Sequence, residues 1–301
     1  MNYKLVSSIL ASPWFIQRQW ADANLPIIVA LLQGKPVSFV QRTGSEGEEL
    51  PFIIDPANMQ RYDFYKWDSM QQKMVPNPNV PPNSVGMMPI TGPLTYYNGD
   101  CGEPGMIKRN SWLLDMNTRE NIGSIVQLID TPGGEGRAAQ AYCTTLSRMQ
   151  KPVLSYVDNC CASLGMWFSS GSREVYLSND LAAMGSIGSY IMLADFSGYL
   201  EQNGIKLHEI YAPQSVDKNK DYKDALAGDY TAIQNMLAKH VDAFINYVST
   251  QRGDKAKANI SEWNSGKMFD AKDAVKIGLA DGVRPLDQVI SKAAWLAKRN
   301  K

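Results

Sequence analysis

At 301 residues the chain has room for one large domain or two modest ones around a sizeable core. Apolar residues make up 44% and charged residues 20%, and 30 basic side chains cancel 30 acidic ones. That balance excludes bulk attraction to nucleic acid or to an anionic membrane surface.

No apolar run reaches the roughly 18–20 residues of a membrane span. The opening MNYKLVSSILASPWFIQRQW carries Arg among its apolar residues and reads as amphipathic rather than as a secretion signal. Of the four cysteines, Cys160 and Cys161 are adjacent and Cys101 and Cys143 isolated, so neither a disulfide framework nor a C-x-x-C pair is expected. With only two histidines, no metal site is expected either. A reducing, cytoplasmic setting follows.

Residues 1–40 read as one or two helices. Residues 41–84 change character, passing through the aromatic stretch RYDFYKWDSM to the Pro/Asn connector PNPNVPPNS, which suits neither a helix interior nor a central strand. A boundary is placed there: an N-terminal helical extension with its connector (1–84), then the main domain (85–301). The aromatics Tyr62, Phe64, Tyr65 and Trp67 are expected to pack onto that domain.

From Val85 the pattern alternates. Strands are predicted at Val85–Ile90, Gly123–Asp130, Pro152–Val157 and Glu174–Leu177, with two more at Ile191–Ala194 and Lys206–Tyr211. Helices are predicted near 111–121, at Gly136–Met149 and at Ala162–Ser170. A long helix over Thr231–Gln251 aligns Ile233, Leu237, Val241, Phe244 and Val248 on one stripe. Two more close the chain at 270–277 and 286–299. Strands separated by helices point to an α/β fold with a mostly parallel sheet of βαβ units.

Two segments carry chemistry. In L-I-D-T-P-G-G, Pro132 stiffens the strand exit, and Gly133 and Gly134 permit backbone angles that can aim N–H groups at a ligand. In C-C-A-S-L-G-M-W-F, small residues turn the chain so that Ser163 starts an apolar helix, where free N–H groups favour developing negative charge. An ordinary β-to-α turn explains the first segment alone, and an N-cap serine explains the second. Together they offer a nucleophile and an oxyanion site. A base is harder to find. His208 falls in a predicted strand and His240 on the long helix, with no aspartate pairing. The charged run SVDKNKDYK offers Lys218, Lys220 and Lys223, but a lysine serves as base only when its pKa falls well below its usual value.

VGMMPITGPL, SIVQLIDTPGG, CASLGMW, MGSIGSY and RGDK with GKMFDAKDAVKIGLADGV, in that order over about residues 85–290, resemble the serine–lysine peptidase family. That family includes signal peptide peptidase A and phage capsid-maturation proteases. The resemblance implies a Clp-protease/crotonase-like fold, assembled as homo-oligomeric rings, with no cofactor and a polypeptide substrate. It places Ser163 at the nucleophile position, Gly133 and Gly134 on the oxyanion loop, and the Leu164 N–H as second donor. Leu164 departs from the glycine usual there and narrows the pocket. Lys218 is the preferred base on spacing, with Lys223 next and Lys220 last. Ser186, in G-S-I-G, matches a serine that orients the lysine. In rings of this family the lysine can reach a neighbouring subunit's serine. The absence of an anchor in the sequence favours the head-maturation type, acting on scaffold and capsid proteins, over a signal-peptide-degrading or general cytosolic peptidase. An acyl-CoA enzyme of the crotonase type and a non-catalytic assembly protein are the readings outside the proteases.

Overall fold

The computed structural model describes residues 14–16, 29–30, 50–99, 103–193 and 195–299. Its strands, in chain order, are β1 (Trp14–Ile16), β2 (Phe52–Asp55), β3 (Gln60–Asp63), β4 (Tyr65–Asp68), β5 (Lys73–Pro76), β6 (Ser84–Thr91) and β7 (Ile122–Thr131). They continue with β8 (Gly133–Glu135), β9 (Val153–Ala162), β10 (Glu174–Leu177), β11 (Ala183–Gly185), β12 (Met268–Asp270) and β13 (Gly282–Val283).

The central sheet runs β12-β11-β9-β7-β6-β2-β3. β6, β7 and β9 pair in parallel, and antiparallel partners close both ends. β9 is long enough for two parallel neighbours, β10 against Leu154–Val157 and β11 against Cys160–Ala162. Near-continuous apolar runs such as Val85–Ile90 are what a strand buried on both faces requires. One face carries the helices Met106–Thr118, Ala138–Leu146 and Leu164–Ser170, with Trp112, Leu113, Tyr142 and Phe168 in its core. The other is covered by the helix Leu286–Arg299, whose Val289, Ile290 and Ala293 meet Met87, Val126 and Leu154. There Gly123 admits the helix, since a Cβ at that position would lie 3.2 Å from the Ala297 methyl.

Several expectations are revised. The sheet runs across the expected boundary at residue 84: β2 pairs antiparallel with β6 and β3 with β2, so residues 52–63 add strands to the main sheet. Of the predicted N-terminal helices only Trp14–Ile16 and Val29–Ala30 fall among the described residues, and the first of these is a strand. Phe64 packs in the core and Tyr65 donates to Asp115 Oδ2 at 2.7 Å, as the aromatic stretch suggests, whereas Trp67 is exposed. The helix expected near 111–121 is Met106–Thr118. No strand forms over residues 191–193 or Lys206–Tyr211, and Ala194 lies outside the described residues. The alternation in KLHEIY had no sheet edge to pair with, and Leu207 and Ile210 stand in solvent. The long helix is Thr231–Arg252, but of its apolar stripe only Phe244 and Val248 are fully buried.

Candidate active site

β7 ends in Thr131, whose hydroxyl donates to the Gly92 carbonyl at 2.5 Å and accepts the Gly133 N–H at 3.1 Å. This ties the glycine loop to the exit of β6. Gly133 sits at φ +105, a region costly for other residues. Gly134 is required for a different reason: a Cβ there would lie 2.0 Å from the Leu94 carbonyl oxygen.

β9 delivers Cys160, Cys161 and Ala162 to Ser163, which begins the helix Leu164–Ser170. Ser163 has φ +53 and ψ −110, a conformation that costs a non-glycine residue about 1–3 kcal/mol. The surroundings hold it there. Its N–H donates to the Gly185 carbonyl at 2.8 Å and its carbonyl accepts from Met166 N at 2.9 Å, while Leu164, Met166 and Phe168 anchor the helix in the core. A Cβ on Gly165 would come within 2.6 Å of the Thr131 methyl, so the first helical turn is packed hard against the glycine loop. The serine turn and the T-P-G-G loop are thus one construction. A serine on a strained strand-to-helix turn is the arrangement of a nucleophile elbow, and the helix-start N–H groups, that of Leu164 first, have no intrahelical acceptor.

Ser163 is buried to 1% exposure yet forms part of the wall of a cavity of about 900 Å³. Ser186, Ile187, Tyr190, Asn159, Cys160 and Ile16 line the same space, with Asn264–Gly266 and Met268 from the region around β12. Ser186 reaches it at φ +55, with its N–H held by the Lys267 carbonyl at 2.7 Å. Gly185 allows that contact, because a Cβ there would sit 2.3 Å from the same carbonyl oxygen. Ser163, Leu164, Gly133, Gly134 and Ser186 are therefore brought together. Ile16, Tyr190 and Asn264–Gly266 escaped the sequence reading. They belong to loops and a short strand whose place depends on long-range pairing.

The lysines stand apart. None lines the cavity among the described residues. Lys218 is exposed in a turn, its N–H donating to the Ser215 carbonyl at 3.1 Å. Lys220 pairs with Asp224. Lys223 pairs with Glu209 at 2.7 Å and lies 4.1 Å from the centre of the Tyr211 ring. The hydrogen bond to Glu209 is the main reason its pKa is raised, the wrong direction for a base. Lys151 is drawn down to about 8 by burial and by the charge of Arg119, but it serves another end of the molecule. It donates to the carbonyls of Met116 at 2.8 Å and Arg119 at 2.5 Å, before β9 begins. The ten residues of β9 separate it from Ser163 by about 30 Å.

His208 is exposed, and His240 lines a second cavity of about 730 Å³ with Gln140, Trp167 and Tyr247. The thiols are held protonated, Cys160 pushed up to about 11 by burial and Asp130, and Cys161 to about 12 by burial. Adjacent on one strand, they point to opposite faces and do not bridge. Cys101 lies outside the described residues. Among those residues no group of three His, Cys, Asp or Glu is placed to hold a metal, and no helix is long and apolar enough to cross a membrane.

The model of peptidase family S49 matches residues 145–300. The chain is 23% identical over 185 residues to a putative protease of Methanocaldococcus jannaschii, covering 61% of this chain and 59% of that protein. It is 23% identical over 203 residues to a putative signal peptide peptidase SppA of Enterococcus faecium, covering 61% of this chain and 56% of that protein. It is 25% identical over 215 residues to the capsid assembly protease C of Escherichia phage lambda, covering 66% of this chain and 46% of that one. The chain spans about half the length of the relatives it matches.

Proposed function

Since this chain belongs to peptidase family S49, we propose that it is a serine endopeptidase in which Ser163 attacks the peptide carbonyl and Lys218 acts as its base. The observation that carries the reading is Ser163 itself, held at φ +53 between the glycine loop and a cavity open to a ligand. The neutral lysine amine takes the Oγ proton as the Oγ–carbon bond forms. The resulting oxyanion is held by the N–H of Leu164 and by the glycine loop. The ammonium then protonates the departing amine, the C–N bond breaks, and water releases the acyl group by the same route. Ser186 orients the lysine.

Because Lys218 is exposed on its own protomer, the base is supplied to the Ser163 of a neighbouring copy in a homo-oligomeric ring. Exposed Leu207 and Ile210 before the lysine segment, and Val216 within it, support a face covered by another copy. The likeness to capsid assembly protease C supports scaffold or capsid proteins as substrates, and the likeness to the signal peptide peptidase SppA supports signal peptides as the alternative.

Labelling with a fluorophosphonate followed by peptide mapping tests the nucleophile. Ser163 is modified, and Ser163→Ala abolishes both labelling and cleavage of denatured casein, a loss of about a thousandfold or more. An oligomer that stays unlabelled and leaves casein intact would support an assembly protein instead, and unlabelled protein that turns over acyl-CoA thioesters would support the acyl-CoA reading.

A further inference from the structure

β8, the short strand that follows the T-P-G-G turn, has two edges. On one, Leu94 N donates to the Gly133 carbonyl at 2.9 Å and Glu135 N donates to the Leu94 carbonyl at 2.8 Å. Strand geometry then turns the N–H and C=O of Gly134 to the opposite edge. That edge is occupied by the chain itself. β1 runs antiparallel along it, with Trp14 opposite Glu135, Phe15 opposite Gly134 and Ile16 opposite Gly133. Ile16 is buried and lines the cavity that contains Ser163.

We propose that residues 14–16 form an internal strap on the strand edge that a peptide substrate must use, so that the N-terminal segment holds the site closed against substrate. This rests on the peptidase reading above. An open edge accepts the main chain of any extended peptide, whatever its side chains, and a side-chain pocket then selects among them. β1 satisfies the first condition with its ladder and the second with Ile16. A pairing of three residues is weak in isolation, but a tethered segment competes at an effective concentration in the millimolar range. The strap therefore raises the apparent KM without touching the reacting groups, and it is displaced by a peptide that pairs over more residues.

The test uses the full chain. Phe15→Pro removes the N–H that faces Gly134, and Ile16→Asp places a carboxylate where the aliphatic side chain seats. With a fluorogenic peptide, both variants lower KM about 2- to 10-fold, and Phe15→Pro, which alters only the main-chain ladder, leaves kcat unchanged. Independently of catalysis, hydrogen–deuterium exchange in the Ser163→Ala chain reports the edge directly. The Gly134 amide loses protection when Phe15→Pro is added, and regains it with a synthetic peptide of residues 10–20. Unchanged KM in both variants together with unchanged exchange at Gly134 would overturn the strap. Should fluorophosphonate labelling and peptide cleavage fail in every version, the peptidase reading falls, and the exchange result still decides whether the strap exists.

Discussion

The two halves of the proposed dyad come from regions built on opposite principles. Around Ser163 the chain is buried and overdetermined: a positive-φ serine, two glycines that no other residue can replace, and a helix whose first turn touches Thr131. Around Lys218, residues 204–224 are almost entirely exposed, with ion pairs between surface side chains and apolar Leu207, Ile210 and Val216 in solvent. A single protomer can preorganise the first region by packing alone. The second is exposed over almost its whole length, and under the proposed mechanism it meets Ser163 only across the surface of another copy.

Breaking the exposed half tests that contrast most strongly. Lys218→Ala lowers kcat/KM about a thousandfold, whereas Lys223→Ala, which removes a lysine held charged by Glu209, changes it less than about threefold. Mixing Lys218→Ala with Ser163→Ala and allowing subunits to exchange restores cleavage, since a mixed ring pairs an intact serine with an intact lysine. A protein that uses its lysine within one protomer gives no recovery.

The buried half breaks differently. Gly134→Ala drives a methyl into the Leu94 carbonyl and displaces the glycine loop, so kcat on a fluorogenic peptide falls about a hundredfold and the melting temperature drops with it, because the obstruction is backbone. Away from the site, Gln127 is buried and donates to Ser172 Oγ at 2.7 Å and Ser155 Oγ at 3.1 Å, and accepts from Tyr142 at 2.8 Å. Gln127→Leu leaves the buried Tyr142 hydroxyl without its acceptor, while Ser155 and Ser172 keep their mutual bond at 2.8 Å, and costs about 1–3 kcal/mol in a urea titration.

The smallest effect is pH-dependent. Burial opposes ionisation of Asp115, but the hydrogen bonds from Arg119 and Tyr65 outweigh it and lower its pKa from 3.8. A depressed carboxylate contributes stability that is complete above its unfolded pKa and disappears as pH falls through the folded one. Asp115→Asn therefore lowers stability by about 1–2 kcal/mol at pH 7, and the gap to the unaltered chain closes in acid, as denaturant midpoints across pH will show.

Much of the fold was legible because local pattern and burial agreed. Glu174–Leu177 is a strand as its β-branched and aromatic content suggests, and the helices at Ala271–Ile277 and Leu286–Arg299 fall where their periodicity places them. The errors share a cause. KLHEIY alternates like a strand but has no partner, and residues 52–63 extend the main sheet although the Pro/Asn connector that follows them reads as a boundary. Pairing decides both, and pairing is not local.

The same division separates the pieces of the site. By itself the sequence determined the residues of the candidate site around Ser163: a serine at a small-residue turn, two glycines after a strand, and a serine in G-S-I-G, because backbone angles and close approaches dictate residue type at those positions. Only the tertiary structure decided that Ser163 and Ser186 share one cavity, that the glycine loop packs against the first turn of the serine's helix, that no lysine among the described residues lines the cavity, and that Trp14–Ile16 occupies the edge of β8. Those outcomes depend on which surfaces and strand edges find each other, and main-chain hydrogen bonding is nearly blind to side-chain identity.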